Sequence, residues 1–311
     1  MEVSRMNDIT KEILKDVSDY SGDDYQYAYN IREDGCCVGR QSTDNIKIEN
    51  KPDAPGLVIR VLPGTKGERV SIPACVTHGN VDDVVYNDFY IGEGADVLII
   101  AGCGVHVSTG EPARHNGIHR FFLEKDAHVL YEEKHVGKGN GTGIRSIDPV
   151  TEITLGENAE LEMDSLQLGG VDRTLRQTSA VVGKGAHLII RERILTDGDQ
   201  EAKTDFVVEM QGEDSSVNLI SRSVARGHSH QAYRSRIIGN APCSGHSECD
   251  AIIVDEGTVD AAPELLANDV DAALIHEAAI GKIAGEQIIK LRTLGLTEEE
   301  AEAKIVAGFL K

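Results

Sequence analysis

The chain has 311 residues, with 32 glycines, no tryptophan, 4% aromatic side chains and a formal net charge of −21. That acidity excludes nucleic acid and an anionic membrane surface as partners, because both need a basic face. No apolar run approaches the roughly 20 residues that span a bilayer. The length allows one large domain with an appendage, and the glycine-rich, aromatic-poor composition suits many short strands joined by tight turns.

The start, Met1-Glu2-Val3-Ser4-Arg5, lacks the apolar segment of a secretory signal, so the chain reads as soluble and cytoplasmic. Residues 6–20 read as an amphipathic helix, with Ile9, Ile13, Leu14 and Val17 at helical spacing, inside an N-terminal helical segment 1–24. From residue 25 the pattern changes to short alternating runs. A turn of the form Gly-x-x-Ala stands before a strand at Gly92–Ala95, Glu124–Ala127, Gly156–Ala159 and Gly183–Ala186, with a weaker copy at Gly212–Ser216. The fourth positions are read at 95, 127, 159, 186 and 216, giving intervals of 32, 32, 27 and 30. Each turn leads into an apolar run such as Val97-Leu98-Ile99-Ile100 or Leu188-Ile189-Ile190.

Recurrence near 30 residues without a crossover helix predicts a solenoid of strands, a right-handed parallel β-helix over residues 25–260. A β-sandwich would show turn signals every 8–12 residues with no longer period. After Val254 the strand pattern is read as ending, and a C-terminal helical subdomain is expected over 261–311. There Ile280–Leu294 reads as one helix, and Thr297 with Glu300 forms a capping box for a second that carries Ala301, Ile305, Val306 and Phe309 on one face. These helices would cap the open end of the solenoid or present a docking surface.

Six cysteines in a large unsecreted chain imply reduced thiols rather than a disulfide framework. No Cys-x-x-Cys pair occurs, so a metal or cluster site has to be assembled in space. The sharpest constellation is Cys249-Asp250 followed by His276-Glu277, since thiolate, imidazole and carboxylate are ligands of iron and zinc. A second is His115, His119, His128 and His135, with His119 and His135 expected on neighbouring rungs. A third is His228-Ser229-His230, whose two imidazoles would share a side if the segment is a strand. Cys103 and His106 form a weaker cluster, and Cys36-Cys37 cannot share a strand face. Neither a P-loop nor a Gly-x-Ser-x-Gly elbow is present.

The last third of the chain resembles the SufB/SufD family of iron–sulfur cluster assembly scaffolds, which work with the ATPase SufC. The resemblance rests on Ser221-Arg222-Ser223, Gly239, Gly245, Cys249-Asp250, Pro263, His276-Glu277-Ala278, Gly281, Gln287, Gly295-Leu296, Glu302-Ala303 and Gly308-Phe309. His-Glu rather than His-Gly at 276–277 makes the chain similar to SufB and to its short archaeal forms. The resemblance implies that Cys249, His276 and Glu277 hold a transient iron–sulfur cluster. It also implies a homodimer paired through solenoid edges, a SufC-like ABC ATPase on the C-terminal helices, and apo iron–sulfur proteins as recipients. The chain would then be a scaffold and not itself an enzyme. His135 stands about where SufB proteins often carry a sulfur-receiving cysteine; with His228 and His230 it is an additional candidate for iron. Ile288-Ile289 and Arg292-Thr293-Leu294-Gly295 depart from the family pattern in the helical tail. Two other readings compete: a structural or regulatory metal-binding β-helix with no assembly role, and a polysaccharide enzyme, which so few aromatics count against.

Overall fold

In a computed structural model, which describes residues 6–18 and 26–311, the chain opens with helix α1, Asp8–Val17. Strands β1 (Ala28–Glu33) and β2 (Cys36–Gln41) form an antiparallel hairpin, and β3 (Ile46–Asn50) pairs antiparallel with β4 (Gly56–Val61). Next come β5 (Lys66–Ser71), β6 (Ala74–Val76) and β7 (Asp82–Ile91). The central rungs are β8 (Asp96–His106), β9 (Ala113–Leu123), β10 (His128–Lys138), β11 (Arg145–Ile147), β12 (Val150–Leu155), β13 (Glu160–Leu168) and β14 (Arg173–Val182). They continue as β15 (His187–Thr196), β16 (Glu201–Met210), β17 (Ser215–Ala225), β18 (His230–Gly239), β19 (Cys243–Ile253), β20 (Thr258–Ala267) and β21 (Ala272–Gly281). Helices α2 (Gly285–Arg292) and α3 (Glu298–Phe309) close the chain.

The chain winds between two facing sheets, and within each sheet the pairing from β4 onward is parallel, in register except for a bulge at Lys66–Glu68 where β5 meets β8. The result is the expected parallel β-helix, with about eight turns. Inward residues alternate with outward ones, as in β14, where every second residue from Thr174 to Val182 is buried. The main apolar core, largely Val, Ile, Leu, Phe and Ala, runs between the sheets from Ala28 to Cys249, with a smaller cluster around Val76, Val105 and Ile147 beside it. Phe89 stacks on Phe121 within the main core, with centroids 4.6 Å apart.

The repeated turn has a physical cause at two positions. Its fourth residue, Ala95, Ala127, Ala159 or Ala186, is fully buried where the chain turns into the sheet, so a small side chain is required. The third residue, Gly94, Asp126, Asn158, Gly185 or Asp214, has φ between 55° and 63°. That left-handed conformation favours Gly, Asn and Asp. Register also corrects the weak copy. His187 pairs with Ser216, so Ser215 and not Ser216 is the equivalent of Ala186, and the following rungs place Cys243 and Ala272 there.

The helix read at 6–20 is α1, capped by Asn7, whose side chain accepts from Thr10 N; residues 19 and 20 lie outside the described residues. It lays Ile13, Leu14 and Val17 on the outside of β8 and β10, and Gly102 and Gly104 make that approach possible. A Cβ at Gly102 would lie 2.2 Å from Val17 O, and one at Gly104 2.2 Å from Ile13 Cγ2.

The C-terminal third differs from the expectation. The strands do not stop after Val254: β20 and β21 add a final rung, and the segment 258–281 is part of the solenoid. Pro263 sits within β20, the last strand of its sheet, where a missing N–H costs no ladder bond on the open side. The helix read at Ile280–Leu294 is shortened to Gly285–Arg292 because Ile280 and Gly281 still pair with β19. Nor do the helices cap the solenoid. Val306 of α3 and Leu310 just after it pack beside the core, against Val224 and Val254, and β20 and β21 stay largely exposed.

Candidate functional site at the open end

Cys249 lies on β19 with its side chain inside the solenoid, 3% exposed. In-register pairing stacks it on Ser221 and Glu192 below and on Ala278 above. Ser221 Oγ donates to Glu192 Oε1 at 3.0 Å. Burial, with the nearby carboxylates of Glu192 and Asp250 adding to it, raises the Cys249 thiol from 9.0 to about 12. The residue is therefore a neutral thiol at physiological pH, and metal binding has to displace its proton.

His276 on β21 pairs with Ser247, two residues before Cys249 in the same strand. By the two-residue alternation, His276 and Cys249 occupy the same face on adjacent rungs. Around them Ser247 Oγ lies 3.0 Å from Tyr233 Oη and 2.9 Å from Ser235 Oγ. Glu277 pairs with Glu248 and occupies the opposite, outward face, with a carboxylate oxygen 3.9 Å from His246 Nε2. The structure thus brings together Cys249 and His276, but not Glu277. His246, which the sequence reading passed over, is the neighbour of Glu277. Its signal was available: it is three residues before Cys249 and on the opposite face.

The other candidates are elsewhere. His228 lies in the turn before β18, beside Glu256 at 3.0 Å. His230, the first residue of β18, has Nδ1 2.9 Å from Thr258 Oγ1 and Nε2 3.6 Å from Asp260. The two imidazoles take separate carboxylates rather than converging. Among the described residues no three His, Cys, Asp or Glu side chains gather into a group that would hold a metal ion.

His119 and His135 are not stacked neighbours, because β9 and β10 belong to different sheets. They face a shared interior and are linked through it: His119 Nδ1 donates to Tyr131 Oη at 2.8 Å, which donates to Glu133 Oε1 at 3.0 Å. His135 Nε2 is 3.3 Å from the same Glu133 oxygen. The direct neighbour of His135 on β8 is the buried thiol Cys103. Arg176 crosses from the opposite sheet, giving Nη1 to Glu133 Oε2 at 2.7 Å and Nε to Glu192 Oε2 at 3.2 Å. Thr204 Oγ1 donates to Glu192 Oε2 at 2.8 Å.

Burial pushes both carboxyls up. At Glu133 the nearby His135 and Arg176 overcome burial and hold it well below the usual carboxylate range. Glu192 shares the same arginine and remains raised. In one register column Glu133, Ser165, Glu192, Ser221 and Cys249 follow each other along β10, β13, β15, β17 and β19. A buried polar file therefore runs up the interior to Cys249, over about 19 Å at the usual strand spacing.

Comparison with known proteins places this geometry in a family. Residues 84–309 match the family described as SUF system FeS cluster assembly, SufBD core domain. An iron–sulfur cluster assembly SufBD family protein of Archaeoglobus fulgidus is 33% identical over 85% of this chain and 70% of its own length. A homologous protein of the same description from Methanothermobacter thermautotrophicus is 30% identical over 84% of this chain and 64% of its own length. One from Methanocaldococcus jannaschii is 25% identical over 87% of this chain and 86% of its own. The chain belongs to the SufBD family of iron–sulfur cluster assembly proteins. No helix among the described residues is long and apolar enough to cross a membrane.

Proposed function

We propose that the chain is a cytoplasmic scaffold on which a nascent iron–sulfur cluster is built as cargo, with Cys249 and His276 as ligands. The observation that carries this reading is their place on one face of the last two rungs of sheet β19–β21, at an end of the solenoid that is neither capped nor paired. Glu277 faces away, so a second copy paired along β21 is what would complete the ligand set, whether by its own Cys249 and His276 or by a rearranged Glu277. Pairing would also cover the free edge of that strand.

The exposed α2, which buries none of its residues and leaves Ile289 61% exposed, supports a SufC-like ATPase on the C-terminal helices. ATP-driven closure of that partner would pull on the pair of scaffolds and open the buried Cys249 to iron and sulfide. Transfer to apo iron–sulfur proteins then follows. Energy and hydrolysis come from the ATPase, and the scaffold itself performs no catalysis.

Anaerobic reconstitution with ferrous iron and sulfide tests the assignment, because thiolate-bound clusters absorb in the visible. The wild-type chain is expected to turn brown, and Cys249→Ser to lose most of the chromophore and the acid-labile sulfide. Full retention of both in Cys249→Ser would exclude that thiol as a ligand.

A further inference from the structure

The free edge of β21 restricts how a second copy can pair with it. In this sheet the outward residue at a strand start donates to the rung below, as His128 N to Ala95 O, His187 N to Ala159 O and Ser216 N to Ala186 O. By alternation Ala273, Ile275, Glu277 and Ala279 turn their backbone groups toward β19, and Leu274, His276, Ala278 and Ile280 present theirs at the free edge. Ala272 N is already spent on Asp269 O. A two-fold axis sets the two β21 strands antiparallel, and inward residues have to meet inward residues. One register alone pairs these four residues with the same four of the other copy: Leu274 lies opposite the partner's Ile280, and His276 opposite the partner's Ala278. That register sets Glu277 directly opposite the partner's Glu277, on the outward face.

Two carboxylates facing each other across a non-hydrogen-bonded pair, with Cα atoms about 4.5 Å apart, are destabilising unless a cation lies between them. The same outward face carries the nitrogen that completes a cation site. His246, one rung below on β19, gives Nδ1–H to Asn218 Oδ1 at 3.0 Å, so as a neutral imidazole it carries its lone pair on Nε2. That nitrogen is 3.9 Å from Glu277 Oε2, and the two side chains are 34% and 70% exposed. A lone pair turned to a carboxylate oxygen sets two acceptors face to face, and a cation between them resolves it. A partner that holds the proton on one ring nitrogen and frees the other is the usual support of a metal-ligating histidine. Glu248, the neighbour of Glu277 on β19, is turned to Arg222 at 3.7 Å, which leaves His246 to Glu277.

We infer that the seam between two copies closes around a divalent transition-metal ion, held by His246 Nε2 and the Glu277 carboxylate of both. Two imidazoles and two carboxylates suit ferrous iron, and the two ionised glutamates balance the charge of one such ion. One copy supplies only half the set, which is why no group of three is found within the single chain among the described residues. The inference rests on the pairing of β21 proposed above, but the site is separate from the cluster ligands. Cys249 and His276 share the inward face, whereas His246 and Glu277 share the outward one. Glu277 then acts where it stands, and an ion bound there couples the supply of metal to the pairing of the scaffolds.

Cobalt(II) tests the site, because its spectrum separates nitrogen and oxygen ligands from thiolate. The parent is full-length Cys249→Ser, freed of metal by a chelator and titrated anaerobically, so that the interior thiol takes no part. One Co2+ is expected to bind per two chains, with visible ligand-field bands and no thiolate charge-transfer band. Light scattering should show pairing at least about tenfold tighter with Co2+ than with chelator, since an ion bound only by the pair stabilises it. His246→Ala on this parent should weaken Co2+ binding about tenfold or more with the melting curve unchanged. Glu277→Gln should lose the ion and yet pair without it, because the facing charges are gone; a merely structural glutamate would not turn a metal-dependent pair into a metal-independent one. If Cys249→Ser does not fold, the wild type answers, its thiolate band reporting any ion on Cys249. Pairing indifferent to Co2+, one ion per single chain, a spectrum of thiolate ligation alone, or an affinity untouched by His246→Ala would each overturn the inference. Reconstitution with iron and sulfide judges Cys249 separately: a chromophore lost in Cys249→Ser, with pairing indifferent to Co2+, keeps the thiol as ligand and removes this site.

Discussion

The two ends of this solenoid solve the same problem differently. At the first end the interior is covered: the β1–β2 hairpin, the β3–β4 hairpin and α1 leave Ile31, Ile46 and Ile59 essentially fully buried. At the last end, among the described residues, β20 pairs only with β18 and β21 only with β19. Along β21 the burial falls from half-buried at Ala272 and Leu274 to exposed from Ile275 onward. A sheet edge of that length is normally shielded by charge, by a bulge or by another segment. Here the helices that follow turn aside to pack on Val224 and Val254. The covered end pairs its buried charges, as Arg32 with Asp83 and Lys51 with Asp88, whereas the uncovered end exposes an imidazole and a strand edge one rung above the buried Cys249 thiol. A β-helix that leaves one end open in this way is organised for contact at that end.

The largest effect is expected from the polar file that joins the two regions. Arg176 bridges two buried carboxylates, Glu133 and Glu192, and removing one partner of such a group leaves uncompensated charge in the interior. Arg176→Leu is expected to cost about 3–5 kcal/mol, read as a lowered urea midpoint. Adding Glu133→Leu should recover part of the loss, since it removes the carboxylate that is most firmly ionised. A loss below about 1 kcal/mol would mean that water reaches this interior and that the file is solvated rather than sealed.

Much of this contrast was legible in the sequence, and the exceptions have physical causes. The corner alanines and the alternation of β13 to β17 gave the solenoid because a stacked rung must repeat its small and apolar positions. The last rung escaped notice because an edge rung has less to bury. Thr258–Ala267 carries Asp260, Pro263 and Glu264, and nothing forces strict alternation there. Glu133 reads as a surface residue in Tyr131-Glu132-Glu133-Lys134-His135, where charges stand on both faces. Only the register, which sets Glu133 beside Ser165 and Ala101, turns it inward. For the candidate site, Cys249 and His276 were singled out by the family resemblance rather than by residue type alone, and the structure sets them on one face of adjacent rungs. The separation of Glu277 from them is a matter of strand parity, which required β21 to be recognised as a strand. His228 and His230 looked convergent at a spacing of two, but the turn at Gly227, with φ of 62°, precedes the strand and sends them to different partners.

A second, smaller effect sharpens the difference between the ends. If the open edge pairs with a second copy, an inward-pointing charge on the edge strand should prevent it, as natural edge strands do. Ile280 is 40% exposed and shares the face of Cys249 and His276, and Ile275 is 58% exposed on the other face. Ile275→Lys with Ile280→Lys is expected to shift a dimer to a monomer in light scattering, with little change in melting temperature. A wild-type chain that stays monomeric over a wide concentration range would remove the two-copy site, and so would an undisturbed dimer in the double variant.

The smallest effect on the fold, and the most specific on function, is expected at the helices. Two roles are distinguishable for α2 and α3. A purely structural pair would bury its apolar residues within the chain. Only α3 does so, through Ala301 and Val306 with Leu310 at its C-cap, while α2 leaves Ile289 61% exposed and Leu294 just beyond it 75% exposed. Between the helices and the end of β19 runs a groove of about 380 Å³ lined by Ile253, Ile283, Ile288, Arg292 and Glu302. A groove that mixes apolar and charged side chains suits a helix or loop of a partner. Arg292 is 54% exposed at that rim, and its one contact, with Glu298 at 3.4 Å, is of the exposed kind that contributes little to stability. Arg292→Glu is therefore expected to move the stability by less than about 0.5 kcal/mol while weakening capture of a SufC-like ATPase. A melting curve and a pull-down with the purified ATPase read the two quantities separately. Since α3 also covers Val224 and Val254, truncation before residue 284 confounds folding with docking, and Ile289→Asp on the exposed face of α2 is the cleaner companion variant. If Arg292→Glu and Ile289→Asp both bind the ATPase like the wild type, the helices are no docking surface, and the ATPase, if it binds at all, must be held elsewhere on the solenoid.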